Sequence, residues 1–155
     1  MSIHKEISFE DDICNHLDSH EWSYSENDQG YDRERALFPE DVLGWIPESQ
    51  PQAWKALTKT HGATAGDVLL NRLRESLNQR GTLDVLRHGF EMLGQRNELL
   101  MAQFKPDLAI NPEIMTRYAA NRLRIVRQVR YSLHNENSID PVSYTHLTLP
   151  TKRIV

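Results

Sequence analysis

The stretch "RLRIVRQVRYSLHNENSID", Arg122 to Asp140, decides how the chain reads. Ile125, Val129 and Tyr131 fall on one face, and the polar run Asn135 to Asn137 interrupts them before Ser138. That change of period predicts a helix end, a strand, a turn and the first residues of a second strand. Strands late in a chain whose earlier patterning is helical make the expected fold α/β, with a helix-rich N-terminal half packed on a mixed β-sheet.

Upstream, "NPEIMTRYAA" predicts a helix with Asn111 as its cap, Pro112 in the first position and Glu113 near the positive end, turning Ile114, Tyr118 and Ala119 inward. "FEMLGQRNELLMAQF" predicts two short strands about a Gln95-Arg96-Asn97 turn. "TAGDVLLNRLRESLNQRG" carries the clearest helical stripe: Val68, Leu69, Leu73 and Leu77 oppose Arg72, Glu75 and Asn78, and Gly81 supplies the stop. Pro39 suits the first turn of a short helix, after turn chemistry at Asn27, Asp28 and Gly30. "SFEDDICNHLDSHEW" predicts an opening helix capped by Ser8, with Phe9, Ile13 and Leu17 on its inner face. The expected order is helix first and strand late.

The chain has 155 residues, enough for a single domain or a piece of one with a real core, and a formal charge of −4. Bulk charge therefore gives no basic signature, and any nucleic-acid contact must come from a local patch. Cys14 is the only cysteine, and no apolar run is long enough for a membrane span or signal peptide, so the expected compartment is the reducing cytoplasm.

Such a basic patch exists in sequence. Arg117, Arg122, Arg124, Arg127 and Arg130 crowd a short span, with Tyr118, Gln128 and Tyr131 between them, a composition that can track a phosphate backbone. The same arginines can instead pair with the chain's many Asp and Glu side chains, or lie over the core. His16 and His20 stand four apart near Cys14, a spacing that can face a metal but equally one of solvated groups near a helix C-terminus. Asp140 at a strand start and Glu10 on the opening helix are carboxylates of the kind that hold hard cations, although Asp before Pro is commonly a turn. No glycine-rich phosphate loop occurs, and no Ser/His/Asp or Cys/His order stands out.

The segments "FEDDICNHLDSHEWSY", "YDRERALFPEDVLGWIPESQPQAWKAL", "RGTLDVLRHGFEMLG", "MAQFKP" and "YAANRLRIVRQVRYSLHNENSID" occur in this order. Their order and spacing resemble the N-terminal domain of type I restriction enzyme R subunits from about Phe9 to Asp140. "RQVRYS" followed by "SID" is the most specific element. The resemblance implies a PD-(D/E)XK nuclease that cleaves double-stranded DNA with Mg²⁺, in which Asp140 matches the first catalytic and metal-binding carboxylate. Glu10 matches a glutamate near the start of the family domain and is a second candidate metal ligand. The family continues through a hydrophobic strand, an Asn-Gly turn and a strand ending in Glu-Leu-Lys, which supplies the second carboxylate and the lysine. ATP is used by motor domains further along such subunits, which work with methylation (M) and specificity (S) subunits.

Here the pattern breaks off. No acidic residue follows Asp140, and Lys152 follows Pro150 and Thr151 rather than Glu-Leu, so Lys152 is not the family's lysine. Val142 to Thr151 is what GTCTCTTATACACATCTGACGCTGCCGACG encodes, and that string resembles the transposon-end adapter used to prepare sequencing libraries. Residues 1–140 are thus expected to be the N-terminal part of the nuclease domain, and residues 141–155 a translated, non-native tail. The alternation of Val142, Tyr144 and His146 would still tolerate a short strand. Two functions are open at this point: a nuclease fragment without activity of its own, and a non-catalytic DNA- or subunit-binding module using Arg117 to Arg130.

Overall fold

A computed structural model of the protein describes residues 3–127, 129–130, 133–134, 138–139 and 142–145. It is a mixed α/β chain. Helix α1 (Ile3–Asp18) leads to a short strand β1 (Ser23–Ser25); helices α2 (Pro39–Ser49), α3 (Pro51–His61), α4 (Ala65–Arg80) and α5 (Thr82–His88) follow. Helix α6 (Pro112–Ala119) then precedes strands β2 (Leu123–Val126), β3 (Val129–Arg130), β4 (Ser138–Ile139) and β5 (Val142–Thr145).

The helical stripe predicted for α4 is buried as expected: Leu69, Leu73 and Leu77 are in the core, and Val68 packs against it. Gly81 ends α4 at φ 85°, a left-handed conformation that glycine adopts without a Cβ penalty. The main core gathers Trp45 and Ile46 of α2, Leu57 of α3, the α4 leucines, Val85 of α5, and Phe90, Leu99 and Met101 beyond it. Gln50, between α2 and α3, ties the 99–101 segment to this core: its amide donates to the Leu100 carbonyl at 2.9 Å and accepts from the Leu100 N–H at 2.9 Å. That reciprocal pair satisfies two backbone groups that no strand partner reaches.

Strand β2 is the centre of a three-stranded mixed sheet, parallel to β1 with Tyr24 opposite Ile125, and antiparallel to β5 with Val126 opposite Val142. Strands β3 and β4 form a separate antiparallel pair, with Val129 opposite Ile139 and Arg130 opposite Ser138. The predicted strand is present as β2 and β3, and the second strand opens with β4 at Ser138, while the turn expected at Asn135 to Asn137 lies outside the described residues. Adding β5 asks little of its sequence, since an alternating segment can extend an open sheet edge whatever its origin. A second, small apolar cluster lies beneath the strands, made of Phe38, Val126 and Val129 with Tyr31 against them.

Several expectations are corrected. Helix α1 starts at Ile3, so Ser8 lies inside it and caps nothing. Its inner face runs through Glu10, Ile13, Cys14 and Leu17, leaving Phe9 66% exposed, because Glu10 and Asp11 are drawn to Arg127. A strand also comes early: β1 contains no apolar aliphatic residue and so gave no period-two signal. The hairpin expected around Gln95 shrinks to one bridge between Phe90 and Leu99. Asn111 does cap α6, accepting from the Glu113 N–H at 2.9 Å, but Tyr118 and Ala119 face outward and Arg117 turns in instead.

Candidate nucleic-acid interface

The five arginines of the sequence patch sit on α6, β2 and β3 or just beside them, and each is paired with a carboxylate. Arg124 projects from β2 toward the first turn of α2. There its Nε and Nη2 donate to the two Asp41 oxygens at 2.6 and 2.8 Å, and Nη1 donates to Ser25 Oγ at 2.6 Å. Its guanidinium also lies 5.1 Å from the Phe38 ring centroid. Both charges are withdrawn from solvent, with Asp41 8% and Arg124 19% exposed, and the Asp41 carboxylate holds the Arg124 pKa above its ordinary value.

Arg130 on β3 grips Asp28 in the same bidentate manner, Nη2 to Oδ1 at 2.9 Å and Nε to Oδ2 at 3.1 Å, while its own backbone N–H donates to Oδ2 at 3.0 Å. Hydrogen bonds from Arg130 hold the Asp28 carboxyl below its ordinary range, against the opposing effect of burial. Arg127, between β2 and β3, reaches Asp11 at 2.9 Å and Glu10 at 3.7 Å. Arg122 lies 3.5 Å from Glu48 and is laid flat on α2: a Cβ at Gly44 would come within 2.5–2.7 Å of its guanidinium. Arg117 bonds Glu113 at 3.4 Å and Gln103 at 3.5 Å.

The arrangement joins the strands to the helical half rather than presenting a row of open cations. Arg124 and Asp41 are 83 positions apart in sequence, Arg130 and Asp28 102, so each pair is a tertiary tie. In sequence Asp28 stood out only as a turn residue, and Asp41 not at all. Nothing in their local pattern distinguishes them from the chain's other acids, and only the folded register selects them.

Glu10 faces Arg127 and is nearly buried. Asp140 lies outside the described residues, as do Gln128 and Tyr131. Among the described residues no group of three or more His, Cys, Asp or Glu side chains is placed to hold a metal. The His16 and His20 rings are close, with centroids 4.2 Å apart, but His20 Nδ1 donates to the His16 carbonyl at 2.6 Å and so is not a free ligand nitrogen. Of the two carboxylates expected to hold Mg²⁺, the one that is described, Glu10, faces the Arg127 guanidinium. No helix among the described residues is long and apolar enough to cross a membrane.

Comparison of the chain with protein-family models, curated proteins and solved structures gave no match.

Proposed function

We propose that residues 1–140 are the leading part of a PD-(D/E)XK nuclease domain of the kind found in type I restriction R subunits, and that this 155-residue polypeptide does not itself cleave DNA. The observation that carries this reading is the ordered run of similar segments from Phe9 to Asp140, ending in "RQVRYS" and "SID". The register of β3 with β4 is compatible with it: Val129–Arg130 and Ser138–Ile139 pair antiparallel, and Ile139 immediately precedes Asp140 in sequence.

In this reading the intact subunit cuts double-stranded DNA in the cytoplasm, together with methylation and specificity subunits, and draws on ATP through domains that this chain does not carry. Asp140 is its first catalytic carboxylate. Mg²⁺ enters only with a second carboxylate and a lysine, and no Asp or Glu follows Asp140 here.

The test uses the intact gene of the source. Asp140→Ala should abolish restriction of unmethylated phage DNA while the methylation that protects host DNA continues. Undiminished restriction by the variant would overturn the proposal.

A further inference from the structure

We propose that helix α1 is an electrostatically latched element: Arg127 holds it against the sheet through Asp11 and Glu10, and it undocks as a unit when that latch is screened, while the helical core stays folded.

Three observations carry this. First, among the described residues α1 contributes to neither apolar cluster. The main core is built from residues 37–101, and the cluster beneath the strands from Phe38, Val126, Val129 and Tyr31. The helix meets the rest of the protein along β1, and its inner face is narrow: Cys14 is its only fully buried residue among those described, with Ile13 and Leu17 half-buried. Ile7 and Phe9 are left 44% and 66% exposed. A helix with so little apolar surface in contact belongs to the low-stability end of a fold.

Second, Arg127 makes two ionic contacts across this interface. Arg127 Nη1 lies 2.9 Å from Asp11 Oδ1 and its Nε 3.7 Å from Glu10 Oε2. Arg127 is itself fixed to the sheet, because its backbone N–H donates to the Ser25 carbonyl at 3.1 Å. The cation is thus mounted on the sheet and the anions on the helix.

Third, the covalent connection permits the motion. The link from α1 to β1 passes through Glu21 at φ 69°, a left-handed conformation that a non-glycine residue holds only when its surroundings enforce it. Undocking α1 relieves that constraint without breaking any helix among residues 39–88.

Cys14, the only cysteine of the chain, is 4% exposed under this helix and next to the latch, which makes it a built-in reporter. The experiment follows the labelling rate of Cys14 by iodoacetamide, an uncharged reagent, from low salt to 1 M NaCl. Each rate is divided by that of the urea-unfolded chain at the same salt. At 1 M the screening length is about 3 Å, so the two ion pairs are largely lost. The expected result is a rise of about two- to tenfold in the parent, the combined effect of two partly exposed pairs. Arg127→Gln, which removes both pairs, should label fast already at low salt and respond little to more; Asp11→Asn, which keeps the Glu10 pair, should label faster than the parent and respond less to salt, and the exposed Arg87→Gln should behave as the parent. Amide exchange in α4 should stay slow throughout, and if Arg127→Gln does not fold, Asp11→Asn carries the test. A salt-independent parent, an Asp11→Asn variant that labels like the parent, a control that accelerates equally, or loss of α4 protection in step with labelling would each overturn the latch.

Discussion

Replacing Arg124 by Met tests how the sheet is fastened to the helices. Asp41 is 8% exposed and sits in the first turn of α2, and Arg124 supplies both of its short hydrogen bonds, at 2.6 and 2.8 Å. Methionine keeps much of the aliphatic stem but strands the carboxylate. Removing one member of a buried pair costs about 3–5 kcal/mol. Two features reduce this: water can reach the partly open Arg124 side, and the α2 N-terminus stabilises a negative charge by about 0.3–1 kcal/mol. The lost hydrogen bond to Ser25 and the contact with Phe38, the latter about 0.5–1 kcal/mol, act in the other direction. The net expectation is about 3 kcal/mol, or roughly 6–12 °C in Tm for a chain of this size. The double variant Arg124→Met with Asp41→Leu removes both charges and should recover to within about 1 kcal/mol of the parent. Urea unfolding followed by circular dichroism gives all four corners of the cycle. A loss below about 0.5 kcal/mol for Arg124→Met, the range of an exposed pair, or strict additivity in the double variant, would refute the claim that this pair is a desolvated tie.

Gly89→Ala should destabilise by more than about 2 kcal/mol, because the residue sits at φ 79° and a Cβ there would strike the Leu99 carbonyl; a thermal melt within a degree of the parent would show that the bridge between Phe90 and Leu99 yields easily. The Asp28 carboxyl is held below its ordinary value by hydrogen bonds from Arg130, so its contribution to stability is complete above the ordinary carboxylate range and is lost as the pH falls through the lowered folded value. Asp28→Asn should therefore lower stability at neutral pH and flatten the acid limb of the stability profile; an unchanged acid limb would remove Asp28 from the account. The purified chain, mixed with supercoiled plasmid and Mg²⁺, should leave it intact, and Asp140-dependent linearisation on an agarose gel would contradict that.

What the sequence made legible was local. The α4 stripe shows because Leu69, Leu73 and Leu77 repeat at helical spacing and Gly81 closes it, and the α6 start shows because Asn111, Pro112 and Glu113 each act within one turn. Nonlocal determinants stayed hidden. The rotation of α1 that buries Cys14 and exposes Phe9 is set by Arg127, at the other end of the chain, and no window centred on α1 contains it. Strand β1, Ser-Tyr-Ser, is paired with β2 and carries no apolar alternation. The arginine patch was visible, but its partners were not: composition cannot say that Asp28, Asp41 and Asp11, rather than phosphates, receive these cations. Asp140 shows the opposite limit, since its proposed role rests on ordered similarity rather than on any periodicity.

The most direct test of the nuclease reading is to determine the genomic DNA of the source downstream of the Asp140 codon. The natural frame should depart from the Pro141–Val155 reading at that codon and, within roughly one hairpin, encode a strand carrying Glu-x-Lys. A genomic frame that continues through the fifteen residues as given, or that continues without Glu-x-Lys, would contradict it.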